Sequence, residues 1–125
     1  MKTERYDSDA GCMETIDDGR RLPDSLKIGA HEVKVVFPYP FKERDDLVGQ
    51  YDKGLGVIRI SEFDYCGNKR VESEIWVTFL HEILHAIDYA TGHRMFCGGE
   101  NEPKIEGLSE GLYQVLNDNG LLNKP

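Results

Sequence analysis

Two histidines and a glutamate stand close together in the stretch TFLHEILHAID, residues 78–88. His81 and His85 are four residues apart, so on a helix their rings lie one turn apart on the same face and can converge on one ion. Glu82 is rotated by about 100° from His81, within reach of a water held at that ion. This H-E-x-x-H spacing predicts a zinc site of a hydrolase, with the two imidazoles as ligands and Glu82 as general base.

A catalytic zinc needs a third protein ligand and an open fourth position. The extended pattern H-E-x-x-H-x-x-G-x-x-H is excluded, because Asp88 and Thr91 stand at its last two fixed positions. His93 is one alternative, just beyond the expected end of the helix. The other source is a second helix that returns across the first, on which three polar side chains share one face at i, i+4 and i+7: Glu106, Glu110 and Tyr113.

Two helices are predicted to position these residues. Apolar residues that recur with a period of 3.6 residues predict the first helix from about Lys69 to Ala90, with Asn68 as N-cap and Gly92 at its end. The second is expected from near Pro103 to near Asn119, after a loop over residues 92–103. Their apolar stripes are Trp76, Phe79, Leu80, Ile83, Leu84 and Ile87 on the first helix, and Ile105, Leu108, Leu112, Val115 and Leu116 on the second.

Alternating apolar residues predict strands before the helices. The segment 31–37 alternates and ends at Pro38, and residues 56–63, GVIRISEF, alternate again. The intervening segment 41–52 is polar and turn-prone, so a hairpin or meander is expected to join the two strands. Residues 1–24 are polar and acidic and are interpreted as an arm, which leaves residues 25–125 as a single α+β domain.

His81-Glu82-x-x-His85 followed by Glu106-x-x-Ser109-Glu110 resembles the gluzincin pattern of thermolysin-type peptidases. The resemblance implies that Glu106 is the third zinc ligand, with one zinc per chain. It further implies that Glu110, in place of the usual aspartate, orients a ligand histidine, a task that Asp88 can serve from the first helix. No downstream lobe is expected after the second helix, so the oxyanion donor is sought among Tyr113, Tyr89 and His93.

Over roughly residues 26–119 the chain is similar to small bacterial and phage proteins with a minimal zincin domain, the ImmA/IrrE-like and SprT-like metallopeptidases. This implies a zincin-like fold, in which a small antiparallel or mixed sheet packs on the H-E-x-x-H helix and a C-terminal Glu-bearing helix. It also implies a zinc metallopeptidase that cleaves a protein or peptide, with a repressor or other regulator as the target. We expect the substrate to extend an edge strand, for which GVIRIS is the candidate.

Composition limits the other classes of function. The net charge of −8 argues against a nucleic-acid partner, and no apolar run is long enough for a membrane helix. Three scattered cysteines, Cys12, Cys66 and Cys97, are typical of free thiols in a reducing cytoplasm. Two alternatives stay open: a zinc-binding regulatory or interaction module without peptidase activity, and a metal-free fold whose histidines are incidental.

Overall fold

The computed structural model describes residues 22–42 and 46–122. Residues 1–21 of the predicted arm, and Cys12 with them, lie outside the described residues. The last residues assigned to that arm belong to the fold, because Leu22 packs against the core and the Asp24 carbonyl accepts a hydrogen bond of 2.8 Å from the Val35 N–H. Cys66 and Cys97 are exposed free thiols, as predicted.

The described residues form a mixed sheet of four short strands. These are β1 (Ser25–Ile28), β2 (His31–Val36), β3 (Gly49–Asp52) and β4 (Val57–Ile60). The spatial order is β1-β2-β4-β3, in which β2 and β4 are parallel and both outer pairs are antiparallel.

This order contradicts two predictions about the sheet. No hairpin or meander joins segments 31–37 and 56–63, because β2 and β4 are parallel. GVIRIS was expected to be an edge strand, but it supplies β4, which lies between β2 and β3. The edge on that side is β3, within the segment that the sequence indicated as a polar turn. All four β3 residues are only half-buried, so β3 carries no apolar alternation that would predict a strand.

Two helices follow the sheet: α1 (Glu72–Thr91) and α2 (Glu102–Asp118), the second preceded by one 3₁₀ turn at Gly99–Asn101. The chain is therefore α+β, as predicted. Asn68 is not the N-cap of α1, because residues 64–68 form a turn in which the Asp64 carboxylate accepts from the Asn68 N–H at 2.9 Å. The helix begins after that turn, with Val71 at the N-cap position.

The core lies between the sheet and α1, and α2 packs on α1 rather than on the sheet. The buried residues of the core are Ile28, Val33, Ile58, Ile60, Ile75, Trp76, Phe79 and Ala86. The predicted stripes are only partly buried: Ile87 is 41% exposed, and on α2 Leu108 is 51% exposed while Ile105 is fully buried. Within the part of the chain described, neither helix combines the length and the apolar character needed to cross a membrane.

Candidate metal centre

Three potential ligand side chains meet where α1 and α2 cross. The Nε2 atom of His81 lies 3.1 Å from Oε1 of Glu102, and Nε2 of His85 lies 3.1 Å from Oε2 of the same carboxylate. One ligand atom from each residue falls within 4.8 Å of the other two. Two imidazoles and a carboxylate are a donor set that suits zinc and related divalent ions.

The third member of this group differs from the prediction. Glu106 was expected to complete the site, but its Oε1 lies 2.8 Å from Nδ1 of His81. Glu102 contacts the other ring nitrogen of His81, Nε2. Glu106 is therefore placed to hold the His81 ring rather than to join the converging atoms. Glu102 was missed because the second helix was expected to start at Pro103. In fact Glu102 is the first residue of α2, one turn before Glu106 on the same face.

Glu82 points from α1 toward the edge strand β3. It is 8% exposed, and its carboxylate accepts a hydrogen bond from the Tyr51 N–H. Burial raises the pKa of Glu82 to about 7, with the nearby carboxylate of Glu102 acting in the same direction. A carboxyl group that gains and loses its proton near neutral pH is suited to general acid–base chemistry.

The close contact between β3 and α1 depends on a glycine. A Cβ atom at Gly49 would lie 2.4 Å from Cγ2 of Thr78 and 3.1 Å from Oε2 of Glu82. A side chain at this position would have to displace β3 from the helix. Gly49 therefore sets the distance between the strand edge and the predicted general base.

Arg70, which the sequence did not single out, ties the ends of β3 and β4 to α1. Its guanidinium is buried and donates to the carbonyls of Val48, Ser61 and Glu74 at 3.3, 3.0 and 3.1 Å and to the hydroxyl of Thr78. Burial lowers the pKa of Arg70. No local sequence pattern signals this role, because the carbonyls of Val48 and Ser61 come from other parts of the chain.

Asp88 does not orient a ligand histidine through a hydrogen bond. Its buried carboxylate accepts from the backbone N–H groups of Met95 and Phe96 at 2.8 and 2.9 Å. These two bonds, the one to Phe96 being the stronger influence, lower the pKa of Asp88. Asp88 therefore fixes the loop that follows α1, which forms one wall of the cleft beside His85.

Only some of the remaining predicted residues lie near the site. Glu110 lines the cleft near His81 but has no hydrogen bond to a histidine among the described residues. Tyr113 packs against the core and lines a separate pocket of about 270 Å³, whereas Tyr89 lines the cleft near His85. His93 is exposed and lines neither the cleft beside His81 nor the cleft beside His85. Of the three predicted oxyanion donors, only Tyr89 faces the cleft.

Comparison of the chain with protein-family models, with curated proteins and with solved structures finds no significant match.

Proposed function

We propose that this chain is a zinc-dependent metallopeptidase with a zincin-like domain. The observation that carries the proposal is the meeting of His81, His85 and Glu102 next to the buried Glu82 on a sheet edge. A ligand set alone also fits a structural ion. A buried carboxyl group beside that set, facing the edge of β3, is the feature that favours hydrolysis.

In this proposal each residue of the site has a distinct task. His81, His85 and Glu102 would hold one zinc ion per chain, and Glu106 would keep the His81 ring in place through Nδ1. The ion, when bound, would polarise the substrate carbonyl and make a water more acidic.

Glu82 would supply the proton transfers of the reaction. Its carboxylate would take a proton from the attacking water and deliver it to the amide nitrogen as the C–N bond breaks, so that no proton is gained or lost overall. Burial raises the pKa of Glu82 in the metal-free chain, and a divalent cation bound beside it would lower that pKa and keep the carboxylate ionised as a base. The substrate backbone would lie along β3, whose outer side has no partner strand among the described residues.

A zinc-binding regulatory or interaction module is the second candidate. The observation that favours it is the hydrogen bond from the Tyr51 N–H to Glu82, which joins α1 to β3 and gives this carboxyl a structural role. On this alternative the metal would stabilise the fold and Glu82 would do no chemistry.

The substitution Glu82→Gln separates the two candidates. The amide oxygen can still accept from the Tyr51 N–H, but an amide cannot serve as the base. We expect the variant to bind one equivalent of zinc per chain. We expect it to cleave a peptide library about 100-fold more slowly than the parent, or slower still. The readouts are elemental analysis and mass spectrometry of the products. Cleavage by Glu82→Gln at the parent rate, or cleavage by the parent that survives a chelator, would refute the mechanism.

A further inference from the structure

The cleft beside β3 has two parts, one on each side of Glu82. The part next to His81, here called the His81 half, has a volume of about 570 Å³ and includes Val48 and Gly49 of the strand end. The part next to His85, the His85 half, has a volume of about 340 Å³ and includes Gln50 and Tyr51. Because Glu82 lines both halves, a ligand that passes it must occupy one half on each side.

The His81 half is strongly acidic. Besides Glu82, and besides Glu102 and Glu106 of the metal centre, its carboxylates are Asp46, Glu74 and Glu110. Its one arginine, Arg70, is buried, donates to three backbone carbonyls and lies 3.8 Å from the Glu74 carboxylate, so it offsets the charge of that one residue. Among the described residues, Glu110 has neither a hydrogen-bond nor an ion-pair partner, so its carboxylate is available to a ligand.

The His85 half has a different character, because Lys53 and Arg94 balance the carboxyl groups of Glu82 and Asp88 there. Aromatic side chains of Tyr51, Tyr89 and Phe96 line it, together with Lys53 and Arg94. The rings of Tyr51 and Tyr89 are 6.2 Å apart, and Nζ of Lys53 lies 5.4 Å from the centre of the Tyr89 ring. Such walls suit an aromatic or large apolar side chain and disfavour a second positive charge.

The backbone of β3 indicates what kind of ligand lies between these halves. The Ser61 N–H donates to the Val48 carbonyl at 2.9 Å, and the antiparallel register then directs the amides of Gln50 and Asp52 toward β4. The N–H and C=O of Gly49 and the C=O of Tyr51 consequently face outward, away from β4, whereas the Tyr51 N–H donates to Glu82. Outward-facing strand groups recognise an extended peptide segment, and the pockets on either side select its side chains.

We infer that the cleft takes an extended peptide with a lysine or arginine side chain in the His81 half and an aromatic or large apolar side chain in the His85 half. The inference deepens the proposed function and rests on it for the position of the cleaved bond, which lies between the two side chains. The recognition itself rests on the unlike linings and on the strand edge.

Matched fluorogenic peptides test this preference on the zinc-loaded chain. In each peptide the residue on one side of the cleaved bond is Arg, Gln or Glu, and the residue on the other side is Phe or Ala. Each pair is synthesised in both orders along the peptide. We expect kcat/KM to be highest for the Arg–Phe pair and lower by at least about tenfold when Arg is replaced by Glu. The variant Glu110→Lys should abolish or reverse the preference for Arg over Glu. Glu100→Lys, the same charge change in the exposed 3₁₀ turn before α2, should keep it.

Binding measured without cleavage separates this inference from the proposed function. Fluorescence anisotropy of the same peptides with zinc-loaded Glu82→Gln reports recognition alone. Selective binding of the Arg–Phe peptides without cleavage by the parent would overturn the peptidase proposal and support the inference. Cleavage with equal rates for Arg and Glu peptides, or a preference that Glu110→Lys leaves unchanged, would overturn the inference and leave the peptidase standing. Neither binding nor cleavage of any peptide would overturn both.

Discussion

At the scale of single residues, the two ring nitrogens of His81 distinguish Glu102 from Glu106. Nε2 of His81 and Nε2 of His85 both face Glu102, whereas Glu106 contacts Nδ1 on the other side of the ring. One imidazole cannot present the same nitrogen to a metal and to an orienting carboxylate. The geometry therefore gives the two glutamates different tasks, although they are one helical turn apart.

Replacing each glutamate by glutamine tests this division. Glu106→Gln should lower zinc affinity by about 10- to 100-fold, the usual cost of losing a carboxylate that holds a ligand histidine. Glu102→Gln should cost more, because it removes a charged ligand itself. Both side chains are about half exposed, at 54% and 48%, so neither change is expected to disturb folding. Competition with a chromophoric chelator gives the affinities. A larger loss for Glu106→Gln than for Glu102→Gln would make Glu106 the third ligand.

At the scale of elements, the sequence predicted what depends on local periodicity and missed what depends on pairing between distant segments. The 3.6-residue repeat predicted both helices to within a few residues, and alternation predicted β2 and β4. Strand β3 has only four residues with no buried member, so nothing in its own sequence marks it. The central position of β4 follows from its parallel pairing with β2, which no local pattern encodes.

Gly49 is where the contact between elements can be tested. The substitution Gly49→Ala would push a methyl group into the Thr78 side chain and force β3 away from Glu82. We expect it to lower the free energy of unfolding by about 1–3 kcal/mol and to reduce cleavage. Urea unfolding can be followed by the fluorescence of Trp76, the single tryptophan, which is buried.

Two further variants control for the Gly49 prediction. Gly107→Ala on α2 adds the same methyl where nothing lies within 4 Å, and should leave stability unchanged or raise it by up to about 1 kcal/mol. Thr78→Ser removes the methyl that would clash but keeps the hydroxyl that accepts from Arg70. If the clash is the cause, Gly49→Ala should be less costly in the Thr78→Ser background than alone. Equal costs in both backgrounds would refute the contact.

At the scale of the whole molecule, the metal-free site is a source of electrostatic cost. The chain has a net charge of −8, and the cleft places Glu82 near Glu102 and Glu106, both of which oppose its ionisation. A divalent cation would offset this repulsion and bind the folded chain in preference to the unfolded one. Metal binding is therefore expected to stabilise the fold under either candidate function.

The pH dependence of folding in the metal-free protein measures this cost. The pKa of Glu82 rises from 4.5 to about 7 on folding, so between these two pH values the folded chain holds more protons than the unfolded chain. The contribution of Glu82 to the free energy of unfolding must then fall as pH rises from about 4.5 and level off above 7, by an amount on the order of 3 kcal/mol. Glu82→Gln, with chelator present, should therefore be more stable than the parent at pH 8, and the difference should shrink toward pH 5. Glu100→Gln in the exposed 3₁₀ turn before α2 should show no such pH-dependent difference from the parent. Parallel pH profiles for the parent and Glu82→Gln would mean that folding does not raise the pKa of Glu82, and would refute the burial of this carboxyl group in the metal-free fold.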